Sequence, residues 1–216
     1  MTRIKCCGMT RAEDALLAAR LGADAIGVVF AARSKRRVTL AQAASIMAAM
    51  PAFVTTVALF MDDDAELVRQ VLREVGPDLL QFHGGETDAW CRQFDRPFLK
   101  AVAMGEGAAA LPALQAYPHA RGLLLDGHGA GEAGGSGRTF DWSLIPPDMG
   151  ARLILAGGLS PDNVASAVRE ARPWAVDVAS GIESSPGIKD AARMAAFIRA
   201  VREVDAGRRA SCPGEA

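Results

Sequence analysis

The sequence predicts an α/β fold, a single (β/α)8 barrel with eight parallel strands. Short apolar runs typical of buried strands alternate along the chain with longer Ala-, Leu- and Arg-rich stretches typical of helices. This alternation implies parallel strands joined by helical crossovers. An open, doubly wound sheet is the other possible arrangement of these units, and eight regular units favour the barrel.

The predicted strands are short, apolar and bounded by turn residues. They are Arg3–Cys7, Ala25–Phe30, Val54–Phe60, Leu79–Phe82, Phe98–Ala103, Gly122–Leu125, Leu153–Leu155 and Ala175–Ala179. The predicted helices are Ala12–Leu21, Leu40–Met50, Ala65–Val75, Thr87–Phe94, Ala108–Ala116, Pro161–Ala171 and a final helix from about Lys189 to Val204. No helix is predicted between the sixth and seventh strands, because residues 127–150 are mostly glycine, proline and turn residues.

Two of the helix starts have signals of their own. Thr10 lies three residues before Glu13, which is the spacing of a capping box. Ser160 comes directly before Pro161, which places a capping residue ahead of a first-turn proline. We therefore expect side-chain caps at Thr10 and Ser160.

The chain is predicted to form one domain over residues 1–205. Its 216 residues fit a single α/β barrel, and 50% of them are hydrophobic, which suffices for a sizeable core. No linker-like stretch divides it. The residues from Ala206 onward are small and polar, so we expect a frayed C-terminal tail over 206–216.

Charge and hydropathy exclude several classes of partner. The formal net charge is −1 and the pI is near 6.3, whereas a nucleic-acid-binding face is basic. No apolar run is long enough to span a membrane, and the first residues, MTRIKCCG, lack the apolar region of a signal peptide. We expect a cytoplasmic protein with a small-molecule substrate and with neither a nucleic-acid nor a membrane partner.

Neither a disulfide framework nor a zinc-binding spacing fits the four cysteines, at positions 6, 7, 91 and 212. The three histidines, at positions 83, 119 and 128, are scattered along the chain. We therefore expect free thiols in a reducing compartment and no metal site.

In a (β/α)8 barrel the active site lies at the carboxyl ends of the strands. Nearly every reactive or phosphate-suited residue of this chain follows a predicted strand: Cys7-Gly8, Arg33–Arg37, Met61-Asp62, His83–Gly85, Asp126, Gly157-Gly158 and Ser180-Gly181. This coincidence is the main indication that the chain is an enzyme.

Cys7 alternates with Lys5 and Arg3 on one face of the first strand, while Ile4 and Cys6 lie on the other. We expect Cys7 to point into the barrel, because Ile4 and Cys6 suit the layer that faces the helices. A thiol near cations loses its proton more easily and can act as a base. The alternative is a small core hydrophobe, the usual role of a free cysteine.

Asp126 ends an apolar strand and leads into a glycine-rich loop. Ordering glycine is entropically costly, so such a loop suits close approach of the backbone to a ligand better than it suits stability. The alternative is a solvated aspartate at a strand end, followed by a flexible linker.

The loops after the seventh and eighth strands suit phosphate binding. Gly157-Gly158 and Ser180-Gly181 occupy the usual phosphate site of a (β/α)8 barrel, and a helix start after the first pair would point backbone N–H groups at an anion. SGIES, which begins at Ser180, is long enough for a short extra helix. Two ordinary glycine-containing turns are the alternative.

The residues alone do not decide the roles of two further side chains. Arg36, in the run RSKRR, could supply a guanidinium fork for a carboxylate or belong to a solvated loop. His83 is either a ligand contact or a polar loop residue. The glycines at 129, 131 and 134 fit G-x-G-x-x-G, but no helix signal follows them, so the dinucleotide fingerprint is incomplete.

The blocks KCCGMT, GADAIGVVF…RSKRRV, LLQFHG, LLLDG…GGSGRTFDW, ILAGGLSPDNV and VDVASGIESSPGIKD resemble the phosphoribosylanthranilate isomerase family of tryptophan biosynthesis. The resemblance covers residues 3 to about 203, in order, and implies the TIM-barrel fold. The chain departs from the family pattern at Lys35, Arg37 and Ile188, in the second and eighth loops.

The resemblance implies an Amadori rearrangement of N-(5-phosphoribosyl)anthranilate to 1-(2-carboxyphenylamino)-1-deoxyribulose 5-phosphate, without metal or cofactor. It makes Cys7 the general base and Asp126 the general acid. It also implies that Arg36 binds the anthranilate carboxylate and that Asp177 approaches a sugar hydroxyl. The phosphate would be held by Gly157, Gly158, Ser180 and Gly181.

Catalysis in these roles needs a protonated Asp126 and an ionised Cys7. We expect apolar walls and the anionic substrate to raise the pKa of Asp126, and Lys5 and the arginines of the barrel mouth to lower that of Cys7.

Two other functions are carried as alternatives. A phosphosugar barrel of the histidine-pathway type would need an acid where Cys7 stands. A non-catalytic nucleotide-binding module would depend on the incomplete glycine motif. The sequence leaves the choice between monomer and homodimer open.

Overall fold

The computed structural model of the chain describes residues 1–129 and 139–211. Its centre is a closed barrel of eight parallel strands in sequential order. The strands are β1 (Arg3–Cys6), β2 (Ala25–Val29), β3 (Thr55–Phe60), β4 (Leu79–Phe82), β5 (Phe98–Ala103), β6 (Gly122–Asp126), β7 (Leu153–Leu155) and β8 (Ala175–Val178). Pairing of β1 with β8, in register from Arg3 with Ala175 to Cys6 with Val178, closes the barrel. The predicted (β/α)8 fold is confirmed.

Helices surround the barrel. In the described ranges they are α1 (Ala12–Leu21), α2 (Leu40–Ala48), α3 (Ala65–Glu74), α4 (Asp88–Arg92), α5 (Val164–Ala171) and α6 (Ala191–Ser211). The predicted helix between β5 and β6 is instead a 3-10 segment, Gly107–Gln115, that contains Pro112. Proline has no backbone N–H and disfavours the interior of an α-helix. Between β6 and β7 the described residues form two short 3-10 turns, Trp142–Leu144 and Gly150–Arg152.

The capping box predicted at Thr10 is wrong. Arg11 caps α1 without a side-chain hydrogen bond, and the Thr10 hydroxyl instead donates to the carbonyl of Gly187, 177 residues away. A capping box does form at α2, where Thr39 and Gln42 satisfy each other's backbone N–H groups. The Thr10 hydroxyl therefore links two loops that are distant in the sequence and does not cap α1.

The predicted cap at Ser160 is also displaced. Helix α5 begins at Val164, and Asn163 occupies its cap position. Residues 161–163 form a turn, and the Ser160 carbonyl accepts a hydrogen bond from the Val164 N–H at 3.0 Å. The segment after β7 is therefore a longer loop than the sequence suggested.

The last helix is longer than predicted and ends at Ser211. Near its end, the buried carboxylate of Asp205 accepts hydrogen bonds from the N–H of Thr2 at 2.8 Å and from its hydroxyl at 2.9 Å. These bonds fasten α6 to the N-terminus. Residues 206–211 are helical, and the rest of the predicted tail, 212–216, lies outside the described residues.

The main core lies between the barrel and its helices and includes Ile4 and Cys6 of β1. The alternate side chains of the strands form a smaller apolar cluster inside the barrel: Leu99, Ala101, Leu124, Ile154, Ala156 and Ala175. Because all strands run the same way, their carboxyl ends meet at one rim, where Cys7 packs with Val29, Ala31 and Leu59.

None of the described helices has the combination of length and hydrophobicity that crossing a membrane requires.

Candidate active site

A cavity opens at the carboxyl rim of the barrel. Of the site residues predicted from the sequence, those that line it are Cys7, Arg36, His83, Asp126, Gly157, Gly158, Asp177 and Ser180. Gly181 is not among the lining residues and lies beneath the loop that follows β7. Residues from six different strand ends or loops thus meet in one space, as the rim pattern predicted.

Cys7 follows β1, and its N–H donates to the Val178 carbonyl at 2.8 Å, which fixes it against β8. The thiol lies over Gly27 of β2, since a Cβ added at Gly27 would come within 2.8 Å of Sγ. The same Cβ would lie 3.3 Å from Nζ of Lys5, so Lys5 and Cys7 share the inner face of the barrel. A larger residue at position 27 would displace both.

Lys5 forms a buried ion pair with Asp177, with Nζ 2.8 Å from Oδ1. Burial works against the charge on Lys5, but the attraction of Asp177 outweighs it and raises the pKa of the lysine. Lys5 is therefore a permanent cation beside Cys7. Asp177, predicted as a contact for a sugar hydroxyl, uses one of its oxygens to hold this cation in place.

The pKa of Cys7 departs from expectation. Burial raises it above the ordinary value of 9.0, and Lys5 opposes this rise only in part. The expectation that the surrounding cations lower the pKa overall is wrong for the substrate-free site. Burial disfavours the thiolate of Cys7 more strongly than Lys5 stabilises it, because the charge of Asp177 largely neutralises that of Lys5.

Asp126 ends β6 and is 5% exposed. Its Oδ1 lies 3.3 Å from the N–H of His128, which donates to it, and 3.2 Å from Nδ1 of the same residue. Burial works to raise the pKa of Asp126, but the contacts with His128 outweigh it and the net pKa falls below the ordinary 3.8. The predicted raised pKa is wrong for the substrate-free site, in which His128 favours the carboxylate.

His83 follows β4 and faces the other oxygen of Asp126, with Nε2 3.7 Å from Oδ2. Burial lowers the pKa of His83 to about 3, so its ring is neutral at physiological pH. Its Nδ1 lies 3.3 Å from the side-chain nitrogen of Gln81. The ring stacks on that of His128, with centroids 4.8 Å apart, so the structure joins two histidines that the sequence left scattered.

Gly157 and Gly158 both adopt the left-handed region, with φ of 79° and 62°. Side chains other than glycine rarely adopt this conformation. Asn163 holds the loop from both sides: its Nδ2 donates to the Gly158 carbonyl, and its Oδ1 accepts from the Ser160 N–H, both at 2.9 Å. The sequence reasoning missed Asn163, which lies within the SPDN segment of the same loop.

After β8 a short 3-10 helix forms at Ser180–Ile182, as the sequence predicted. Gly181 touches the loop after β7, since a Cβ at this position would lie 2.0 Å from the Leu159 carbonyl oxygen. The two predicted phosphate loops are therefore in direct backbone contact.

Arg36 lies at the mouth in a bidentate ion pair. Its Nε and Nη2 donate to the two carboxylate oxygens of Glu183, each at 2.7 Å, and Lys189 adds a contact of 2.9 Å to Oε1. Glu183 was missed because the segment SGIESS does not itself indicate which cation its acid meets. Lys35 and Arg37, which flank Arg36, are exposed.

Part of the predicted loop lies outside the described residues. Residues 130–138 include Arg138 and most of the glycine motif that begins at Gly129. Thr139, Phe140 and Asp141 resume the described chain before the 3-10 turn at Trp142.

Comparison with known proteins decides the family. The family model for N-(5′-phosphoribosyl)anthranilate (PRA) isomerase matches residues 4–200. The chain belongs to the PRA isomerase family. A PRA isomerase of Pseudomonas fluorescens is 54% identical over 200 residues, which cover 93% of this chain and 98% of that protein. One of Stutzerimonas stutzeri is 50% identical over 204 residues, covering 94% and 99%.

Solved PRA isomerase structures share the fold. The Thermotoga maritima enzyme superposes with a TM-score of 0.86 at 39% identity, over 94% of this chain and all of that one. A PRA isomerase bound to reduced 1-(o-carboxyphenylamino)-1-deoxyribulose 5-phosphate superposes with a TM-score of 0.79 at 37% identity, over the same shares. The protein is an isomerase of tryptophan biosynthesis, and the predicted function is confirmed over both alternatives.

Proposed function

We propose that this PRA isomerase acts through Cys7 as general base and Asp126 as general acid, with the phosphate of the substrate held by the loops at Gly157-Gly158 and Ser180-Gly181. The observation that carries the proposal is that Cys7, Asp126 and the glycine loop after β7 line one cavity. A relative binds a reduced form of the rearranged phosphosugar, which supports a ligand of that size and charge here.

The chemistry needs only two proton-transferring groups. Asp126 delivers a proton to the ring oxygen of the ribosylamine, the ring C–O bond breaks, and an iminium forms at C1′. The iminium acidifies the C2′ hydrogen, which Cys7 removes to leave an enolamine. Tautomerisation gives the ketone, and proton return restores both groups. Each such transfer contributes about 10²–10⁴-fold to the rate.

In the substrate-free site the proton lies on Cys7 and not on Asp126, which is the reverse of the arrangement that catalysis needs. With a raised pKa Cys7 rests as a thiol, and with a lowered pKa Asp126 rests as a carboxylate. The working form, Cys7 thiolate with Asp126 carboxylic acid, differs only in where one proton lies. An anionic substrate beside Asp126 favours its neutral form, and Lys5 favours the thiolate.

This arrangement predicts a flat pH profile of kcat/KM. Between pH 3.8 and pH 9.0, each rise of one pH unit lowers the protonated fraction of Asp126 tenfold and raises the thiolate fraction of Cys7 tenfold. The product of the two fractions is therefore constant. Since the substrate phosphate titrates near a pKa of about 6, the plateau should extend from about pH 7 to 9. The groups that face the pair are Lys5, Asp177 and Lys189 near Cys7, and His83 and His128 near Asp126.

The measurement follows the loss of anthranilate-type fluorescence of freshly prepared substrate at each pH, with a protein-free reaction as control. A tenfold change of kcat/KM per pH unit within the plateau would contradict the assigned roles.

We infer three further contacts of the substrate from the geometry. Glu183 uses Nε and Nη2 of Arg36, which leaves Nη1 to reach the anthranilate carboxylate. Asp177 keeps Lys5 on Oδ1 and can accept a sugar hydroxyl on Oδ2. His83, neutral and at the rim, can contact the substrate beside Asp126.

Gly181→Ala should raise KM for the substrate by about 10-fold or more while affecting kcat less, because the new Cβ meets the Leu159 carbonyl at 2.0 Å and forces the two phosphate loops apart. Steady-state kinetics measure the effect. The matched control is Gly207→Ala in α6, where an added Cβ meets nothing within 4 Å. Equal KM values for both variants would remove the loop after β8 from phosphate binding.

We also place the enzyme in the cytoplasm, because a reducing compartment suits its free thiols and its small-molecule substrate. A Thermotoga maritima relative is described as dimeric, and we propose a monomer or a homodimer here, to be resolved by sedimentation.

A further inference from the structure

Three side chains with metal-binding chemistry converge at the barrel mouth. Nε2 of His83 lies 3.7 Å from Oδ2 of Asp126, and Nδ1 of His128 lies 3.2 Å from Oδ1. One ligand atom from each residue can be chosen so that all lie within 4.8 Å of one another. His128 has no part in the proposed mechanism, and His83 has only a loosely defined one.

The two imidazole nitrogens that face Asp126 are buried and form no geometrically acceptable hydrogen bond among the described residues, although Nδ1 of His128 lies only 3.2 Å from Oδ1. The side chains of His83 and His128 are 7% and 3% exposed, respectively. A buried polar atom left unpaired costs about 1–3 kcal/mol, so each such atom calls for a ligand, a water or an ion. Because both nitrogens face the carboxylate of Asp126, one bound ligand would contact all three side chains.

The separations fit a zinc-type ion. Zinc binds histidine nitrogen and carboxylate oxygen at about 2.0–2.2 Å, which puts tetrahedral ligand atoms roughly 3.4 Å apart. The two separations between histidine nitrogen and the nearer Asp126 oxygen, 3.7 Å to Oδ2 and 3.2 Å to Oδ1, lie on either side of that value, and the chosen ligand atoms all lie within 4.8 Å of one another, so a bound ion would draw the side chains together. Two histidines and one carboxylate leave a fourth position open. Gln81, which lies beside Nδ1 of His83, can orient that ring, as outer partners of metal-binding histidines do.

The nearby cations do not preclude a metal ion. Lys5 and Lys100 both lie near enough to His83 to act on it electrostatically. Lys5 is paired with Asp177 at 2.8 Å, and Lys100 is paired with Glu86 at 3.1 Å. Each positive charge is therefore balanced by its own carboxylate, and the charge of Asp126 remains to attract an ion.

We propose that His83, Asp126 and His128 bind one divalent ion of the zinc type at the barrel mouth, and that the bound ion inhibits the enzyme. Inhibition rests on the role of Asp126 proposed above, because a carboxylate coordinated to a metal cannot deliver a proton to the substrate. Binding of the ion does not depend on that role.

The test titrates the metal-free full-length enzyme with Co²⁺, a coloured probe for zinc sites, and measures turnover with Zn²⁺ in a buffer free of thiols and chelators. We expect visible Co²⁺ absorption that saturates at one ion per chain and is displaced by Zn²⁺. Zn²⁺ should lower turnover over the concentration range in which it displaces Co²⁺, and EDTA should restore the rate.

His128→Asn removes one ligand, and it should raise the concentrations needed for Co²⁺ binding and Zn²⁺ inhibition by at least about 10-fold. Inhibition is expressed relative to each variant's own metal-free rate. The matched control is His119→Asn, because His119 is the third histidine and pairs with Asp88 at 2.7 Å on the surface. The His119→Asn variant should bind Co²⁺ and be inhibited by Zn²⁺ at the same concentrations as the unmodified enzyme. Circular dichroism verifies folding, and His83→Asn gives a second, independent loss of a ligand.

Several outcomes would overturn the site: no saturable Co²⁺ binding, unchanged binding in both His128→Asn and His83→Asn, or a thiolate–cobalt charge-transfer band that disappears in Cys7→Ser. Failure of the proposed mechanism gives a different result. Co²⁺ would then bind at one ion per chain and be lost in the histidine variants, while Zn²⁺ would leave turnover unchanged.

Discussion

Cys7→Ala is expected to lower kcat by about two to four orders of magnitude, because no other group replaces the base that removes the C2′ proton. Cys7 lies in the cavity beside Lys5, and the change to alanine removes only its Sγ atom. The matched control is Cys6→Ala, one residue earlier, which is fully buried in the core that faces the helices. It should keep its turnover and lose at most about 1–2 kcal/mol of unfolding free energy.

Asp126→Asn is expected to cause a loss of similar size, since the amide keeps the shape of the side chain but cannot deliver an acidic proton. Fluorescence-monitored steady-state kinetics measure both variants, and single-turnover experiments separate chemistry from product release. Near-normal kcat in either variant would remove that residue from the mechanism. Equal losses for Cys6→Ala and Cys7→Ala would point to a disturbed first strand instead.

Lys5→Met is expected to lower the unfolding free energy by about 3–5 kcal/mol, because it leaves Asp177 as an unpaired charge in the barrel interior. The side chains of Lys5 and Asp177 are only 6% and 10% exposed, so water cannot replace the lost partner. Urea denaturation followed by circular dichroism measures the change. The double variant Lys5→Met/Asp177→Leu should recover most of the loss, because it removes both charges.

The loss in Lys5→Met should also depend on pH in a definite sense. Burial already raises the pKa of Asp177 above 3.8, and without Lys5 the attraction of Lys189 that remains is weaker. A carboxyl whose pKa is higher in the folded than in the unfolded state stabilises the fold when protonated, so stability falls as pH rises. The destabilisation should therefore be largest near neutral pH and shrink toward pH 4. A loss independent of pH, or one that the double variant does not relieve, would show that Lys5 acts through packing alone.

Local patterns in the sequence were enough to place the residues of the site on one rim. The alternation along β1 assigns Cys7 and Lys5 to the inside and Cys6 to the helix side, because side-chain direction in a strand depends only on a period of two. The strands that end at Asp126 and before Gly157 run in parallel, so their ends meet wherever the barrel closes.

Some local signals nevertheless failed where another group competed for the same hydrogen bonds. Thr10 has the spacing of a cap, but its hydroxyl is used by Gly187. The helix after β7 begins late, because Asn163 holds the preceding loop through two hydrogen bonds. Gly187 is 177 residues from Thr10, so no local window contains it, whereas Asn163 lies only three residues after Ser160 and acts within the loop itself.

The sequence by itself determined the order of the strands and helices, the rim that carries the reactive residues, and the family. The tertiary structure alone decided which charges meet, Arg36 with Glu183 and Lys5 with Asp177, and it alone brought His83 beside Asp126 and His128. In the substrate-free site it also reversed the expected directions of the pKa shifts of Cys7 and Asp126. The physical reason is that burial and ion pairing depend on which segments the closed barrel brings together, whereas strand and helix patterns are local.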